Sequence, residues 1–327
     1  MLILNANEVV QALPMGECIV AMKGAYAALS SGKAEVPLRT RISIPGKGLA
    51  LFMPSHVDEG EDTALGLKVV TVFNENPNKG LPLIHAAMLV LNSESGEVDA
   101  LLEGGSLTAI RTGAGSGAAT DVLARKDAAT VAIFGAGVQA RTQLEAICSV
   151  RQIETAWVYA PDADAVEKFV VDMRGRGQIP EDIRMAKDAN EAISEADIIC
   201  AATTSSTPVF ADASLKPGVH INGVGSYTSE MQEIPSESVG RALVSVDSHS
   251  AALAECGDLA IPMKMNLISK EDIHEIGEII AGKKPGRSSE NQVTFFKSVG
   301  VAAQDAVAGR LAVANARRMG LGLQVEL

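Results

Sequence analysis

An α/β protein organised around a doubly wound parallel sheet is the fold class this 327-residue sequence predicts, on three observations. From about residue 128, short apolar runs alternate with helix-compatible stretches. The first of these runs opens onto the turn Gly135-Ala136-Gly137-Val138-Gln139-Ala140. Before residue 105 the rhythm differs, with strand-like runs joined by short polar turns. Parallel strands are buried on both faces and read as continuous apolar runs, whereas antiparallel strands can be linked by tight turns.

In chain order, a helix is expected near residues 14–30. Strand-like runs follow at 39–45 (RTRISIP), 49–54, 65–72, 83–92 and 96–104, joined by turns such as NPNKG and SESG, which predicts an antiparallel meander. Residues 106–124 are small and helix-compatible and lead into the βαβ region. Its strands are expected at 130–135 (TVAIFG), 155–160, 183–186, 197–203, 219–224 and 242–247. The tail, 301–320, predicts a helix, and nothing in its own pattern fixes which unit it rejoins.

Composition excludes several classes of function. Apolar residues make up 47% and charged residues 21%, which excludes disorder or coiled coil as a global description. The net charge of −12 repels phosphate backbones and anionic membranes, so no nucleic-acid or membrane partner is expected. Any anionic ligand must therefore be held by local positive charge. Cys18, Cys148, Cys200 and Cys256 form no CxxC pair and have no histidine at metal-ligand spacing, so reduced thiols and no metal are expected. No uncharged stretch reaches the roughly 18 apolar residues of a membrane helix, and the N-terminus lacks a basic leader. A cytoplasmic protein is the expectation.

The turn after TVAIF has the GxGxxA form that binds a dinucleotide. Gly135 makes the tight turn, Gly137 lets the backbone approach a pyrophosphate, and Ala140 allows close helix–strand packing, with Val138 and Gln139 opening the helix. Helix N–H groups there supply positive potential. Where an acidic residue would grip the ribose, after the second strand, the sequence reads Ala160-Pro161-Asp162. Asp162 is either that residue or a helix N-cap, and no arginine stands ready for a 2′-phosphate. NAD and NADP both remain open.

Small oxo- and imino-acids are commonly fixed through their carboxylate by arginine and lysine. Arg39, Arg41, Lys68 and Arg111 are the candidates outside the βαβ region, and Arg41, Lys68 and Arg111 lie in otherwise apolar or uncharged runs. A cation in such a run either snorkels to the surface or is paired.

The blocks GLKVVTVFNENPNKGLP, LLEGGSLTAIRTGAGSGAAT, VAIFGAGVQARTQLEAI, INGVGSYTSEMQEIP, AECGDLAIP and VTFFKSVGVAAQD, in this order, resemble the ornithine cyclodeaminase/mu-crystallin family over nearly the whole chain. The resemblance implies a homodimer in which a Rossmann domain (122–303) is inserted into a discontinuous α+β substrate-binding and dimerisation domain (1–121 and 304–327). It places Arg41, Lys68 and Arg111 at carboxylate-binding positions, and Thr112, Thr203, Val224 and Lys297 in blocks that line NAD(P)H.

One departure separates the branches of the family. Cyclodeaminases and their alanine dehydrogenase relatives are similar here but carry an aspartate in a GGD- or GAD-like turn, whereas this sequence reads Gly225-Ser226-Tyr227-Thr228. Without that carboxylate, taking a proton from an ammonium loses its obvious base, whereas reducing a protonated C=N needs less. The pattern is similar to the ketimine reductase branch, which implies NAD(P)H-dependent reduction of a cyclic α-imino acid, foremost Δ1-pyrroline-2-carboxylate to L-proline. Lys68, Tyr227 and Thr228 are then the groups for the proton. The alternatives are an ornithine cyclodeaminase, an alanine dehydrogenase, and a non-catalytic NADP-binding protein like mu-crystallin. Glu255 and Asp258 are expected in surface or capping roles.

Overall fold

The computed structural model describes residues 1–58, 60 and 63–326, without the side chains of Pro77 and Glu255. The chain forms two units, residues 1–111 with 301–327 and residues 112–300. The divisions fall at 111/112 and 300/301, where the sequence reading set 121/122 and 303/304.

The first unit opens with β1 (Leu2–Leu4), α1 (Ala6–Ala12), α2 (Met15–Ser30), β2 (Ala34–Glu35) and β3 (Thr40–Ile44). It continues through β4 (Gly48–Val57), β5 (Ala64–Phe73), β6 (Ile84–Leu91) and β7 (Val98–Glu103) into α3 (Gly104–Leu123). Strands β3 to β7 form the expected antiparallel meander, with Arg41 opposite Leu51, Leu51 opposite Val70, and Met53 opposite Lys68. The short β1 joins β7 in parallel and escaped the sequence reading. On α2, Cys18, Ile19, Met22, Ala25 and Tyr26 are buried at helical spacing, the mark of one core-facing stripe.

The second unit contains β8 (Thr130–Phe134), α4 (Val138–Val150), β9 (Thr155–Tyr159), α5 (Ala163–Met173), β10 (Ile183–Met185), α6 (Ala189–Ile193), β11 (Ile198–Ala201) and β12 (His220–Gly223). After these come α7 (Ser236–Gly240), β13 (Leu243–Val246), α8 (His249–Glu255), α9 (Gly257–Lys264), β14 (Ile273–Glu275), α10 (Ile276–Ile280) and β15 (Thr294–Lys297). All eight strands pair in parallel in the order β10-β9-β8-β11-β12-β15-β13-β14. Strand order reverses between β8 and β11. At such a switch point the loops beyond the carboxyl ends diverge and leave a crevice. The central strands are buried on both faces, with Ile133, Val158, Ile199 and Ile221 within the core.

The tail forms α11 (Ala302–Met319) and β16 (Leu323–Gln324), and the contacts place both in the first unit. Small residues let α11 lie close on the sheet. A Cβ added to Gly309 would come within 2.9 Å of Val90 Cγ2 on β6, and one added to Gly66 on β5 would lie 3.9 Å from Ala306 Cα on the helix. The helix ends at Gly320, whose φ of 69° is the left-handed conformation that glycine supplies without a Cβ clash.

Candidate active site

In the first unit, two buried cations meet one buried carboxylate. Lys68 on β5 is 2% exposed and its Nζ lies 2.8 Å from Asp305 Oδ2, while Arg111 on α3 is 5% exposed and its Nε lies 2.9 Å from Asp305 Oδ1. Gln304, beside Asp305 at the start of α11, accepts from Arg111 Nη1 at 2.9 Å and from the Val301 N–H at 3.0 Å, and its amide donates to the Tyr26 hydroxyl at 2.8 Å. Both ends of the Gln304 side chain are thus fixed, and with them one edge of the guanidinium. Burial pushes the Lys68 ammonium down to about 8, and neighbouring Arg111 pushes the same way against the pull of Asp305. Among the described residues, two cations against one anion leave one buried positive charge uncompensated, a costly arrangement that an incoming monoanion relieves.

Arg41 lies apart from this cluster. It is exposed on β3, and the register through Leu51 to Val70 places it on the sheet face that carries Lys68, two residues along β5. Arg39, which the sequence reading named without assigning it a place, adds positive potential at Lys68.

In the second unit, Gly135 ends β8 with φ of 103°, and its N–H donates to the Tyr159 carbonyl at 2.9 Å. A Cβ there would come within 2.6 Å of the Ala202 carbonyl oxygen, so the turn packs directly against the loop after β11, at the switch point. Gly137 caps α4 without any side-chain hydrogen bond, and a Cβ on it would meet nothing within 4 Å. Folding itself therefore does not demand a glycine at 137, whereas a backbone that must admit a phosphate does. Ala136 and Gln139 are half-buried beside it, Val138 is exposed, and Ala140 is fully buried against the sheet. This constellation fits the pyrophosphate of a dinucleotide.

Asp162 is the N-cap of α5 and accepts the Ala165 N–H at 3.1 Å, so the capping alternative describes its geometry. Thr112 is buried and Val224 half-buried. Thr203 donates through Oγ1 to Glu233 Oε1 at 2.8 Å, a satisfied hydroxyl at a strand end.

The sequence reading placed no carboxylate at the 225–228 turn; the structure brings one to it from further along the chain. Glu233 reaches back beneath the turn, where Oε2 accepts the N–H groups of Gly225 and Ser226 at 2.5 and 3.0 Å while Oε1 also accepts the Thr203 N–H at 2.6 Å. Burial raises its proton affinity, against the attraction of Lys297. Both oxygens are committed to clamping two loops together, so Glu233 does not stand in for the aspartate of a GGD turn.

A correction concerns Asp258, expected at the surface or as a cap. It is fully buried, accepts the N–H groups of Glu233 and Ile234 at 2.7 and 3.0 Å, and pairs with Lys297 Nζ at 3.2 Å. The Lys297 side chain therefore points into a buried ion pair. Glu255's side chain lies outside the described residues. Tyr227, named with Lys68 and Thr228 for the proton, is 57% exposed. Asp305, Gln304 and Glu233 were missed because their partners lie far away in sequence. The only local hint was an acidic residue within a run of small apolar ones at 301–309.

Over 329 residues the sequence is 42% identical to a Δ1-pyrroline-2-carboxylate reductase of Bacillus cereus, covering all of both chains. Among solved structures, that of the Thermococcus litoralis Δ1-pyrroline-2-carboxylate reductase in complex with NADH and L-proline superposes with a TM-score of 0.93 at 42% identity, covering 99% of this chain and 100% of that one. An archaeal alanine dehydrogenase dimer with bound NAD gives 0.91 at 33% identity, covering 100% and 99%. With the family's sequence pattern matched over residues 1–319, the chain belongs to the ornithine cyclodeaminase/mu-crystallin family.

Proposed function

We propose that this protein is an NAD(P)H-dependent ketimine reductase that converts Δ1-pyrroline-2-carboxylate to L-proline. The observation that carries the proposal is the Lys68–Asp305–Arg111 group, with its one uncompensated buried positive charge. A small planar monoanion supplies the missing charge. Similarity to reductases of that substrate, one of them solved with NADH and L-proline, supports the same reading.

In this scheme Arg111 is offered to the carboxylate in one fixed orientation, its Nε and Nη1 being held by Asp305 and Gln304. Lys68 grips the same anion, and Arg41 closes over it from β3. Fixing a planar ring in one orientation supplies much of the rate through proximity. The residues suited to hold the dinucleotide are Gly135 to Ala140 at the pyrophosphate, with Thr112, Val224 and the backbone of Lys297 along its length. When bound, the reduced nicotinamide supplies the hydride for the C=N carbon. The ring nitrogen also gains a proton, and Lys68 is placed to hold it at Nζ with an affinity near neutrality. Lys68 takes this role ahead of Tyr227, which is exposed, and Thr228, whose hydroxyl engages Glu230.

NADH and NADPH oxidation, followed separately with five- and six-membered cyclic imino acids, tests substrate and cofactor together. Arg111→Ala is expected to raise KM for the imine by roughly two orders of magnitude, the usual cost of truncating a buried charge contact, with cofactor affinity unchanged. Unaltered imine kinetics in that variant would remove Arg111 from the site. Ammonia release from L-ornithine without added cofactor, or NADH consumption with pyruvate and ammonia, would instead mark a cyclodeaminase or an alanine dehydrogenase.

The finer assignments follow from the same reading. The exposed apolar side chains Ile42, Leu81, Leu83 and Ile84 lie near the end of the sheet where β5 stops and β6 starts, and they support a homodimer. Among the described residues no helix is long and apolar enough to cross a membrane. Four buried free thiols accord with a cytoplasmic location.

A further inference from the structure

Asp305 ends the block VTFFKSVGVAAQD without a role assigned to it there, yet it is the hub of the charged cluster. It sits in the first turn of α11 with its side chain 1% exposed, and both oxygens face cations contributed by β5 and α3. Two like charges held this close in a poorly solvated place cannot both persist unaided, and the lysine, unlike the guanidinium, is free to lose its proton.

We propose that Asp305 is the positioning residue of the site, its carboxylate keeping Lys68 charged while fixing both Lys68 and Arg111 to receive the substrate anion. The proposal rests on the ketimine reductase reading for the identity of that anion, and on the geometry alone for the coupling of Asp305 to Lys68. The remaining surroundings of Lys68 work against its charge. Arg111 and Arg39 repel it. On the flanking strands β4 and β6 the residues directly opposite are Met53 and Met88, while the titratable His56 and His85 pair with Leu65 and Thr71 and so lie on the other sheet face. On α11 the next charged residue is Arg310, more than a turn further on. Asp305 is thus the one anion bonded to Lys68 among the described residues.

The expected behaviour is specific. In the full-length protein labelled with ε-¹³C lysine, the Lys68 resonance, identified by its loss in Lys68→Met, should titrate near pH 8, and the alkaline limb of kcat/KM should follow it. Asp305→Asn should move both down by at least about one pH unit, because a Coulomb interaction at this distance exceeds 1.4 kcal/mol even in a well-screened site. Asp305→Glu keeps the charge but displaces it, so it should leave the limb in place while lowering kcat/KM about tenfold. A purely structural aspartate would lower activity equally at every pH.

The proposal is overturned by Asp305→Asn leaving both resonance and limb unmoved, or by Asp305→Glu keeping the wild-type kcat/KM. Should Asp305→Asn fail to fold, Asp305→Glu decides. Absence of imine turnover in a wild-type protein whose Lys68 titrates near pH 8 would reject the substrate reading while sustaining the role of Asp305.

Discussion

Single buried side chains in this protein are placed by partners far away in sequence, and His220 shows the consequence for stability. Its Nδ1 lies 2.9 Å from Thr294 Oγ1, and burial, reinforced by Arg287 and Arg151, pushes its proton affinity from 6.5 down to about 3. The unfolded chain then takes up a proton near pH 6.5 that the folded chain refuses until about pH 3, so stability is lost as pH falls through that window. Wild-type unfolding free energy should fall with a slope approaching about 1.4 kcal/mol per pH unit between pH 6 and 5 beyond that of His220→Asn. Equal slopes in denaturant titrations of the two proteins would contradict this. The same distance in sequence explains why Lys68, Arg111 and the glycines were legible as candidates, each conspicuous within its own run, whereas Asp305, Glu233 and Asp258 were not. A carboxylate announces nothing locally when the groups it serves come from another element.

At the scale of elements, the long apolar runs gave their strands away, because burial on both faces leaves a composition that the chain can satisfy in few other ways. Strands β1, β2, β14 and β16 are only two or three residues long and exist through pairing with distant segments, which no local pattern records. The turn from β8 to α4 offers a clean separation of folding from binding. Gly137→Ala adds a methyl where nothing lies within 4 Å, on a residue with an ordinary φ of −81°. It should leave Tm unchanged or slightly raised, yet weaken dinucleotide binding about tenfold or more. Gly135→Val meets both a positive φ and the Ala202 carbonyl, and should lower Tm as well as binding. Calorimetry of both variants with NADH and NADPH checks the pair, and equal losses of Tm would refute the distinction.

For the molecule as a whole, the net charge of −12 keeps copies apart unless apolar contacts outweigh it. Introducing acid at Ile42 and Ile84 together should therefore convert a dimer to a monomer in sedimentation analysis, more completely at low salt. A mass unchanged by the double substitution would locate the interface elsewhere.

The first unit is assembled from both ends of the polypeptide, and that has a consequence for synthesis. Lys68 leaves the ribosome 237 residues, and Arg111 194 residues, before the carboxylate that both of them meet. Until the last helix emerges, β5 and α3 hold two cations that they cannot desolvate, and the charge cluster must remain open to water. Arrival of Asp305 closes it. The order of translation thus delays sealing of the anion site until the intervening nucleotide-binding unit has been made.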